Sequence, residues 1–387
     1  MLKTSLILSF VVSVIFSTIY TPQAILPELQ GYFNITVAQT NLLLFGMLFV
    51  LMFATPLYTP LLQRFEKKKI ILFSMALLTF SVLISALSSN FYWLLFSRVL
   101  QGLFIPGITV TMLSYVQEIY PENHRGLGMG IYMSATGFGA VLGRLLAGWM
   151  TQWYGWREAF GVFVVLLLLA WVAMYLGLPS SKSTSQGAKT KANKKMLLGY
   201  LKNSKIRSVL FVPMVVFFSF MAVSSFVTYR LAAAPFSLDA SALGNTFLVL
   251  LVAVIVSPLA GKYSDTLGRV TVLFLGIVIL LVGIILSTIG SYTWILIGLG
   301  LVTVGMFSVQ AVTPAYLGDL VPDDKATVAV LYQTFFYFGG AMGTLLPAVA
   351  WNYGGYDAVV LLCFGLVLVC VMPFGYIIFL KDNRNDG

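Results

Sequence analysis

Two arginines, Arg98 and Arg144, lie inside long apolar stretches of the chain, and no Asp or Glu lies inside any such stretch. A charge at membrane depth is costly, so it is retained where it lines a polar cavity or meets a partner. Because these stretches lack an acidic partner, the arginines indicate a positively charged site for an anionic group. The alternatives are structural: Arg98 bonds backbone carbonyls to fix its helix, and Arg144 extends its side chain to the membrane interface.

The acids of the chain lie near the ends of the apolar stretches, where a carboxylate can exchange protons with water. A membrane protein that moves protons needs a group that binds and releases them. Glu28 is our candidate, because it lies near Arg230 if the first and seventh helices face each other. The alternative is that Glu28 is an ordinary exposed loop acid.

Polar and aromatic side chains near helix centres and ends complete the predicted substrate and coupling site. Aromatic rings at such positions hold an apolar or planar substrate, or else face lipid and neighbouring helices. Besides the residues named above, the predicted site comprises Tyr20, Gln23, Gln101, Tyr229, Tyr332 and Phe336. We predict no catalytic group, no metal and no cofactor.

Membrane-spanning helices are the elements that position these residues. Hydrophobic residues make up 59% of the 387 residues, charged residues only 9%, and the mean hydropathy is +0.94. A spanning helix needs roughly 20 predominantly apolar residues, and we predict twelve such helices along the chain. The predicted fold class is therefore an all-α membrane protein.

The distribution of basic residues predicts the orientation of the chain. With the N-terminus inside, only four of the 23 lysines and arginines fall outside the inner segments, namely Arg98, Arg144, Arg157 and Arg230. Cytoplasmic segments are enriched in Lys and Arg, so both termini are predicted to be cytoplasmic. The net charge of +10 then reflects contact with anionic lipid of the bilayer, and we do not predict nucleic-acid binding.

A polar and basic segment divides the chain into two similar halves. The predicted domains are a six-helix bundle at 1–178, a basic linker at 179–206, and a second six-helix bundle with a short tail at 207–387. GAVLGRLLAGWMTQWYGW at 139–156 aligns with GGAMGTLLPAVAWNYGGY at 339–356. Such an internal repeat predicts two bundles, a central site and transport by alternating access.

Several segments resemble signatures of the major facilitator superfamily over essentially the whole chain. SPLAGKYSDTLGR (257–269) is similar to its cytoplasmic motif, and SRVLQGLFIPG (97–107) is similar to its fourth-helix motif. YTPQAILPELQGYFNIT (20–36) resembles the first-helix end of the twelve-span drug:proton antiporter group. GFGAVLGRLLAGW (137–149) looks closest to bacterial inner-membrane efflux members of the YnfM type.

The resemblance implies a major facilitator fold and a secondary active exporter of small molecules in the bacterial inner membrane. The proton gradient would be the energy source, and we expect a monomer in the lipid bilayer. In the fourth-helix motif, the resemblance links Arg98 to proton coupling. In the cytoplasmic motif it implies a gate, with Gly261 and Gly268 as its glycines and Asp265 and Arg269 as its charged latch.

Two departures from the family pattern alter these expectations. The first-half copy of the cytoplasmic motif, TPLLQRFEKKK (59–69), has Gln63 where the latch Asp is expected, and a neutral amide lacks the charge-assisted contacts of an Asp. We therefore expect a gate held mainly by the second half. The fifth-helix motif has Arg144 in place of proline after Gly139-x-x-x-Gly143, which adds a charge to a close helix contact.

Other functions are compatible with parts of the sequence. Arg98 and Arg144 would also suit a carrier of an anionic or zwitterionic, siderophore-like metabolite, or of a lipid head group. A membrane receptor or scaffold is the alternative outside transport. The sequence argues against an enzyme, because its one histidine, His124, lies in a predicted loop and no acid is embedded in a helix.

Overall fold

The structure is a computed structural model that describes residues 2–121, 124–180 and 199–382. Within this part of the chain, the side chains at 59, 63, 117, 126, 323, 325, 326 and 372–382 are not described. Most of the predicted linker, residues 181–198, and the side chain of Gln63 therefore lie outside the described residues.

The described residues fold into helices joined by short connections. The first half contains α1 (Leu2–Tyr20), α2 (Leu26–Phe33), α3 (Val37–Arg64), α4 (Lys67–Ala86), α5 (Phe91–Ile119), α6 (Arg125–Tyr154) and α7 (Trp156–Gly177). The second half contains α8 (Ser204–Ala232), α9 (Ala240–Thr246), α10 (Val252–Leu267), α11 (Arg269–Leu286), α12 (Tyr292–Leu320), α13 (Lys325–Leu345) and α14 (Pro347–Asp382). Three short 3-10 segments, Thr21–Ile25, Phe247–Leu251 and Pro322–Asp324, join some of them.

Ten helical segments in the described part of the chain are long and apolar enough to cross a membrane. Two of them combine elements, because α1 with α2 and α9 with α10 are each read as one span, whereas α14 contributes only its part Pro347–Val371. The long helices α6 and α13, predicted as the fifth and eleventh spans, are not among the ten. Glycines and polar residues dilute the apolar character of these two helices, which occupy equivalent places in the repeat.

Proline and polar residues interrupt the first span. The α-helical hydrogen-bond pattern of α1 ends at Tyr20, and a five-residue 3-10 turn, Thr21–Ile25, follows with Pro22 at its start. Proline has no backbone N–H, so it cannot continue the ladder of an α-helix. Thr21 and Gln23 of this turn are buried. The span is therefore broken in a polar interior.

Glycines bring the first and fifth spans of the first half into backbone contact. A Cβ atom on Gly139 of α6 would lie 2.3 Å from the carbonyl oxygen of Ser13 on α1. One on Gly143 would lie 2.2 Å from that of Ser17. Ser13 and Ser17 also donate hydrogen bonds to carbonyls of α6, at 3.2 and 3.0 Å. Small residues at this spacing let two helices approach closely.

The same contact recurs in the second half, at the positions that the internal repeat predicts. A Cβ atom on Gly339 of α13 would lie 2.0 Å from the carbonyl oxygen of Met214 on α8. One on Gly343 would lie 2.2 Å from that of Phe218. The sequence repeat is thus a structural repeat of the helix pair α1–α6 as the pair α8–α13.

Backbone contacts divide the chain into two compact units, and the division does not follow chain order throughout. The first unit takes in the helices before the linker together with Thr228–Leu251, and the second takes in the described residues of Lys189–Val227 and Val252–Gly387. Of these residues, α9 and the 3-10 turn Phe247–Leu251 pack mainly against α6.

Candidate functional site

Arg98 of α5 is fully buried in the first unit and donates to backbone carbonyl groups of two other helices. Its Nη1 donates to the carbonyl oxygen of Thr18 at 2.9 Å, and its Nη2 donates to that of Ile19 at 2.7 Å. Its Nε donates to the carbonyl oxygen of Leu43 on α3 at 3.3 Å. Arg98 therefore joins α5 to α3 and to the last turn of α1.

The remaining donors of Arg98 are also used. Nη1 bonds Oε1 of Gln101 one turn further along α5, and Nη2 lies 2.8 Å from Sδ of Met47. The amide nitrogen of Gln101 donates in turn to the hydroxyl of Ser85 on α4 at 2.9 Å. A guanidinium group has five N–H donors, and these contacts occupy all five.

Pro22 explains why α1 needs an external donor at this point. In an α-helix the carbonyl of Thr18 would accept from the N–H four residues later, but residue 22 is a proline and has none. Arg98 supplies that donor. Free carbonyls at a helix C-terminus carry partial negative charge. The end of α1 therefore stabilises the positive charge of Arg98, as an acidic side chain would.

Arg144 of α6 lies at the same break of the first span but has a free donor group. It is 1% exposed. Nε donates to Oε1 of Gln23 at 2.7 Å, and Nη1 donates to the carbonyl oxygen of Ala140 at 2.6 Å. Nη2 is buried and has no hydrogen-bond partner among the described residues. Leaving a buried polar group unpaired costs about 1–3 kcal/mol, and more when the group is charged.

Two aromatic rings enclose the guanidinium group of Arg144. Its central carbon lies 4.1 Å from the ring centroid of Tyr20 and 4.9 Å from that of Phe247. Phe247 begins the 3-10 turn after α9 and is itself fully buried. A cation over an aromatic face gains about 0.5–2 kcal/mol. The rings thus offset part of the cost of the buried charge without neutralising it.

No described acid forms an ion pair with Arg98 or Arg144. Five of the predicted residues lie around the end of α1 and the turn that follows it. Arg98 bonds the last turn of α1 and Gln101 bonds Arg98, while Arg144 bonds Gln23 of the turn and lies over the ring of Tyr20.

The other predicted residues of the first unit have the following surroundings. The hydroxyl of Tyr229 accepts from Nδ2 of Asn41 on α3 at 3.1 Å, while Oδ1 of Asn41 is buried without a partner among the described residues. Glu28 is exposed in the first turn of α2, and it is absent from the ion pairs that the described residues form. Arg230 is half-buried in the last turn of α8.

Tyr332 and Phe336 form an aromatic stack in the second unit. The ring of Phe336 lies 4.0 Å from that of Phe217 and 5.7 Å from that of Tyr332, measured between centroids. A cavity of about 390 Å³ adjoins the stack. Its lining comprises Pro314, Ala315, Leu317, Gly318, Asp319, Val328, Ala329 and Tyr332.

The predicted latch residues of the second half form a small ionic network. Nη1 of Arg269 lies 2.8 Å from Asp265 and donates to the hydroxyl of Ser264 at 2.7 Å, while Nε donates to Asp319 at 3.1 Å. Gly268 precedes α11 with φ of +89°, a conformation that favours glycine. A Cβ atom on Gly261 would meet no atom within 4 Å, so this structure shows no close helix contact there.

The first half has its own ion pair at the equivalent end of its helices, which the sequence analysis did not anticipate. Nζ of Lys67, at the start of α4, pairs with Oε1 of Glu118 near the end of α5. Lys67 is 4% exposed, whereas Asp265 and Asp319 in the second half are 65% and 58% exposed. Exposed pairs contribute only about 0–1 kcal/mol. The first half therefore has an ion pair in which one partner, Lys67, is buried and the other, Glu118, is 25% exposed, although Gln63 replaces the acid of the motif.

Two further residues of the site were missed in the sequence. Phe247 lies in an apolar run, and nothing in its composition distinguishes the ring that stacks on Arg144. Asn41 was a detectable signal, because a buried amide in a membrane helix needs polar partners. Pro22 lies in the segment 20–36 that resembles a first-helix end. Whether it deprives the carbonyl of Thr18 of a hydrogen-bond donor depends on where α1 ends.

A duplicated bundle of membrane-spanning helices, with a polar break in its first span, defines the chain as a membrane carrier. Comparison with known proteins agrees with this class. The Major Facilitator Superfamily model matches residues 6–239 and again 209–387. The chain belongs to the major facilitator superfamily.

Two curated relatives and one solved structure match most of the chain. The MFS-type transporter YybF of Bacillus subtilis is 26% identical over 375 residues, covering 96% of this chain and 93% of that protein. The inner membrane transport protein YnfM of Escherichia coli is 25% identical over 353 residues, with 89% and 83% covered. A bacterial homolog of the human lysosomal transporter Spinster has a TM-score of 0.78 at 15% identity, with 98% and 96% covered. The chain is a multi-pass membrane transporter of small molecules, and its family is not one of enzymes.

Proposed function

We propose that the chain is a secondary active exporter that moves small molecules out of the cell across the bacterial inner membrane. Alternating access is the mechanism, and the proton gradient is the energy source. The resemblance to the drug:proton antiporter group supports the direction and the coupling. The name of the relative YnfM, an inner membrane transport protein, supports the location. The charge distribution supports cytoplasmic termini.

The polar break of the first span is the observation on which the proposal depends most. Carriers of this architecture build substrate sites where a membrane helix is discontinuous, because free backbone groups and buried polar side chains are available there. Around the end of α1 and the turn Thr21–Ile25 the chain places two buried arginines, two glutamines and a tyrosine. We assign the substrate site to this break.

Glu28 is the acid that we assign to proton coupling. It follows the break by three residues and is exposed in the first turn of α2. An exposed carboxylate exchanges protons with the aqueous phase directly, as a coupling group must do on one side of the membrane. The cluster around Arg98 and Arg144 contains no carboxylate among the described residues, so the coupling acid is sought outside that cluster.

Flux in proteoliposomes tests the proposal. Purified protein is reconstituted, and an imposed pH difference or an imposed membrane potential drives uptake of three labelled probes. The probes are tetraphenylphosphonium, chloramphenicol and benzoate, which represent a lipophilic cation, a neutral aromatic and an aromatic anion. We expect protein-dependent movement of at least one probe that the pH difference accelerates.

Two results would contradict the proposal in different ways. If probe movement responds to the membrane potential but not to the pH difference, the chain is a transporter and proton coupling is excluded. No movement of any probe above that of protein-free vesicles would count against export through this site and favour a receptor or scaffold role.

A further inference from the structure

The two buried arginines differ in their capacity to bind a ligand. Arg98 has every N–H donor engaged with groups of the protein itself. Arg144 has Nε and Nη1 engaged, while Nη2, with its two N–H donors, has no partner among the described residues. A ligand that bonds Arg98 would have to displace helix carbonyls. A ligand that bonds Arg144 would only occupy donors that are unused.

The charge of Arg144 indicates an anionic ligand. A purely structural side chain at this position could be neutral, because its two engaged groups bond an amide oxygen and a backbone carbonyl. A neutral amide would make such bonds without the desolvation cost of a buried cation. No described acid pairs with Arg144. An anionic partner that comes from outside the protein would therefore account for the energetic cost of burying this cation.

The free donor group also limits the charge and the size of the ligand. One unpaired guanidinium nitrogen suits a single carboxylate group, and the second arginine of the cluster has no free donor. A phosphate dianion needs more donors than this site offers. A group with one negative charge therefore fits better than a dianion.

The rings on either side of the guanidinium group indicate the body of the ligand. Tyr20 belongs to the end of α1, at the rim of the broken turn, whereas Phe247 begins the short turn that follows α9. A planar ligand that replaces Phe247 would stack on the same face of the guanidinium group. Aromatic and cation–π contacts are satisfied by the ligand ring as well as by the phenylalanine ring.

Phe247 also determines access to Arg144. The seven-residue helix α9 packs closely on α6, because a Cβ atom on Gly148 would lie 2.4 Å from the carbonyl oxygen of Ala240. Nε1 of Trp149 donates to Oδ1 of Asn245 at 3.0 Å and fixes the same contact. With α9 in this position, Phe247 covers Arg144. Displacement of α9 together with Phe247 would expose the unpaired Nη2.

We propose that Arg144 binds the carboxylate of a small aromatic monoanion, with Tyr20 as a fixed stacking partner and Phe247 as a movable cover. This inference rests on the proposed export function and names its substrate class. Lipid head groups carry a phosphodiester and no aromatic carboxylate, so they are outside this class. Arg98 is a positioning residue that maintains the broken helix end beside the site.

Binding to purified protein tests the charge requirement separately from transport. Benzoate, benzamide and benzamidine have nearly the same shape and carry a negative, zero and positive charge at neutral pH. We expect isothermal titration to show binding of benzoate at least tenfold tighter than binding of the other two. Binding of benzamidine or benzamide as tight as that of benzoate would overturn the inference, and so would no binding of benzoate.

Substitutions assign the binding to Arg144. Arg144→Gln retains a side chain that hydrogen-bonds but removes the charge, and it should weaken benzoate binding at least tenfold. Arg144→Lys should retain part of the affinity. The matched control is Arg157→Gln, which removes an arginine that also stacks on aromatic rings, at 4.5 Å from Trp156 and 5.1 Å from Tyr32, and bonds Ser88. Unchanged benzoate affinity in Arg144→Gln would overturn the inference.

The role of Phe247 has a test of its own. Phe247→Ala removes the cover while leaving the backbone turn, so benzoate should associate and dissociate faster, measured by stopped-flow fluorescence of the tryptophans. Equal rates in the variant and the parent protein would show that Phe247 does not control access. The flux experiment separates this inference from the export proposal. If only tetraphenylphosphonium among the three probes is transported, the export proposal stands and the assignment of an anionic substrate is overturned.

Discussion

The two arginines at the break of the first span differ in the hydrogen bonding of one terminal nitrogen atom. In Arg98 both terminal nitrogens bond protein groups, whereas in Arg144 one of them is unpaired among the described residues. The sequence alone favours Arg98 as the functional residue, because it lies in a known motif. The contacts favour Arg98 as a brace and Arg144 as a binding residue.

Stability measurements separate these two roles. Arg98→Gln should lower the melting temperature of the purified protein strongly, because it leaves carbonyls of Thr18 and Ile19 buried without donors, at about 1–3 kcal/mol for each. Arg144→Gln should leave the melting temperature unchanged or raise it, because it removes a buried charge that has no acidic partner. Thermal unfolding followed by tryptophan fluorescence in one detergent gives both values. Similar losses in the two variants would contradict the division of roles.

Glu28 provides a separate prediction at the residue scale. Glu28→Gln removes the proposed coupling acid, so transport in inverted membrane vesicles should lose its dependence on the pH of the outer face. Its control is Glu158→Gln, which changes another exposed acid, in the first turn of α7. A pH profile that matches the parent protein in Glu28→Gln would exclude Glu28 as the coupling group.

At the scale of the element, the interrupted first span is the central feature. The sequence analysis did not predict this break, although Pro22 and Pro27 lie in the apolar run and proline interrupts a helix. What the sequence did not show is the partner that satisfies the interrupted ladder. That partner is Arg98, 80 residues away from Thr18, and only the packing of α5 against α1 brings them together.

Pro22 and Arg98 should therefore be energetically coupled. Pro22→Ala restores an N–H that can bond the carbonyl of Thr18, so the loss of Arg98 should matter less in that background. In a double-mutant cycle with Arg98→Gln, we expect a coupling energy of about 1 kcal/mol or more, measured from denaturation curves. Additive effects of the two substitutions would show that Arg98 does not replace the missing donor.

The contact of α6 with α9 gives a prediction with a matched control. Gly148→Ala places a Cβ atom 2.4 Å from the carbonyl oxygen of Ala240, so α9 must shift, and stability and transport should both fall. Gly161→Ala is the control, because a Cβ atom on that glycine of α7 meets nothing within 4 Å. Alanine is the better helix former by about 1 kcal/mol, so Gly161→Ala should be neutral or stabilising. Equal effects would mean that the close approach of α9 is not required.

At the scale of the whole molecule, the internal repeat was the most predictable property. Glycines at equivalent positions in the two halves were aligned from the sequence, and each pair packs its helix against the first span of its own half. The two compact units do not follow chain order throughout, because Thr228–Leu251 packs with the first unit although it follows the linker. Chain order cannot reveal such a contact, which depends on glycine packing between α9 and α6.

The latch residues also show that contacts between distant segments cannot be read from the sequence. The replacement of an acid by Gln63 suggested a weaker first half, yet that half contains an ion pair between the buried Lys67 and Glu118. Motif comparison follows residues within one segment, whereas the acid of this pair lies on another helix. Whether the halves contribute unequally to the gate stays a prediction, because the side chain of Gln63 lies outside the described residues.

Counterflow of benzoate in proteoliposomes tests the central claim most directly. Vesicles loaded with unlabelled benzoate are diluted into labelled benzoate, and the accumulated label is compared for the parent protein, Arg144→Gln and Arg157→Gln. We predict accumulation by the parent protein and by Arg157→Gln, and at least a tenfold loss in Arg144→Gln. Accumulation by Arg144→Gln at the level of the parent protein would contradict the assignment of the substrate site to the break of the first span.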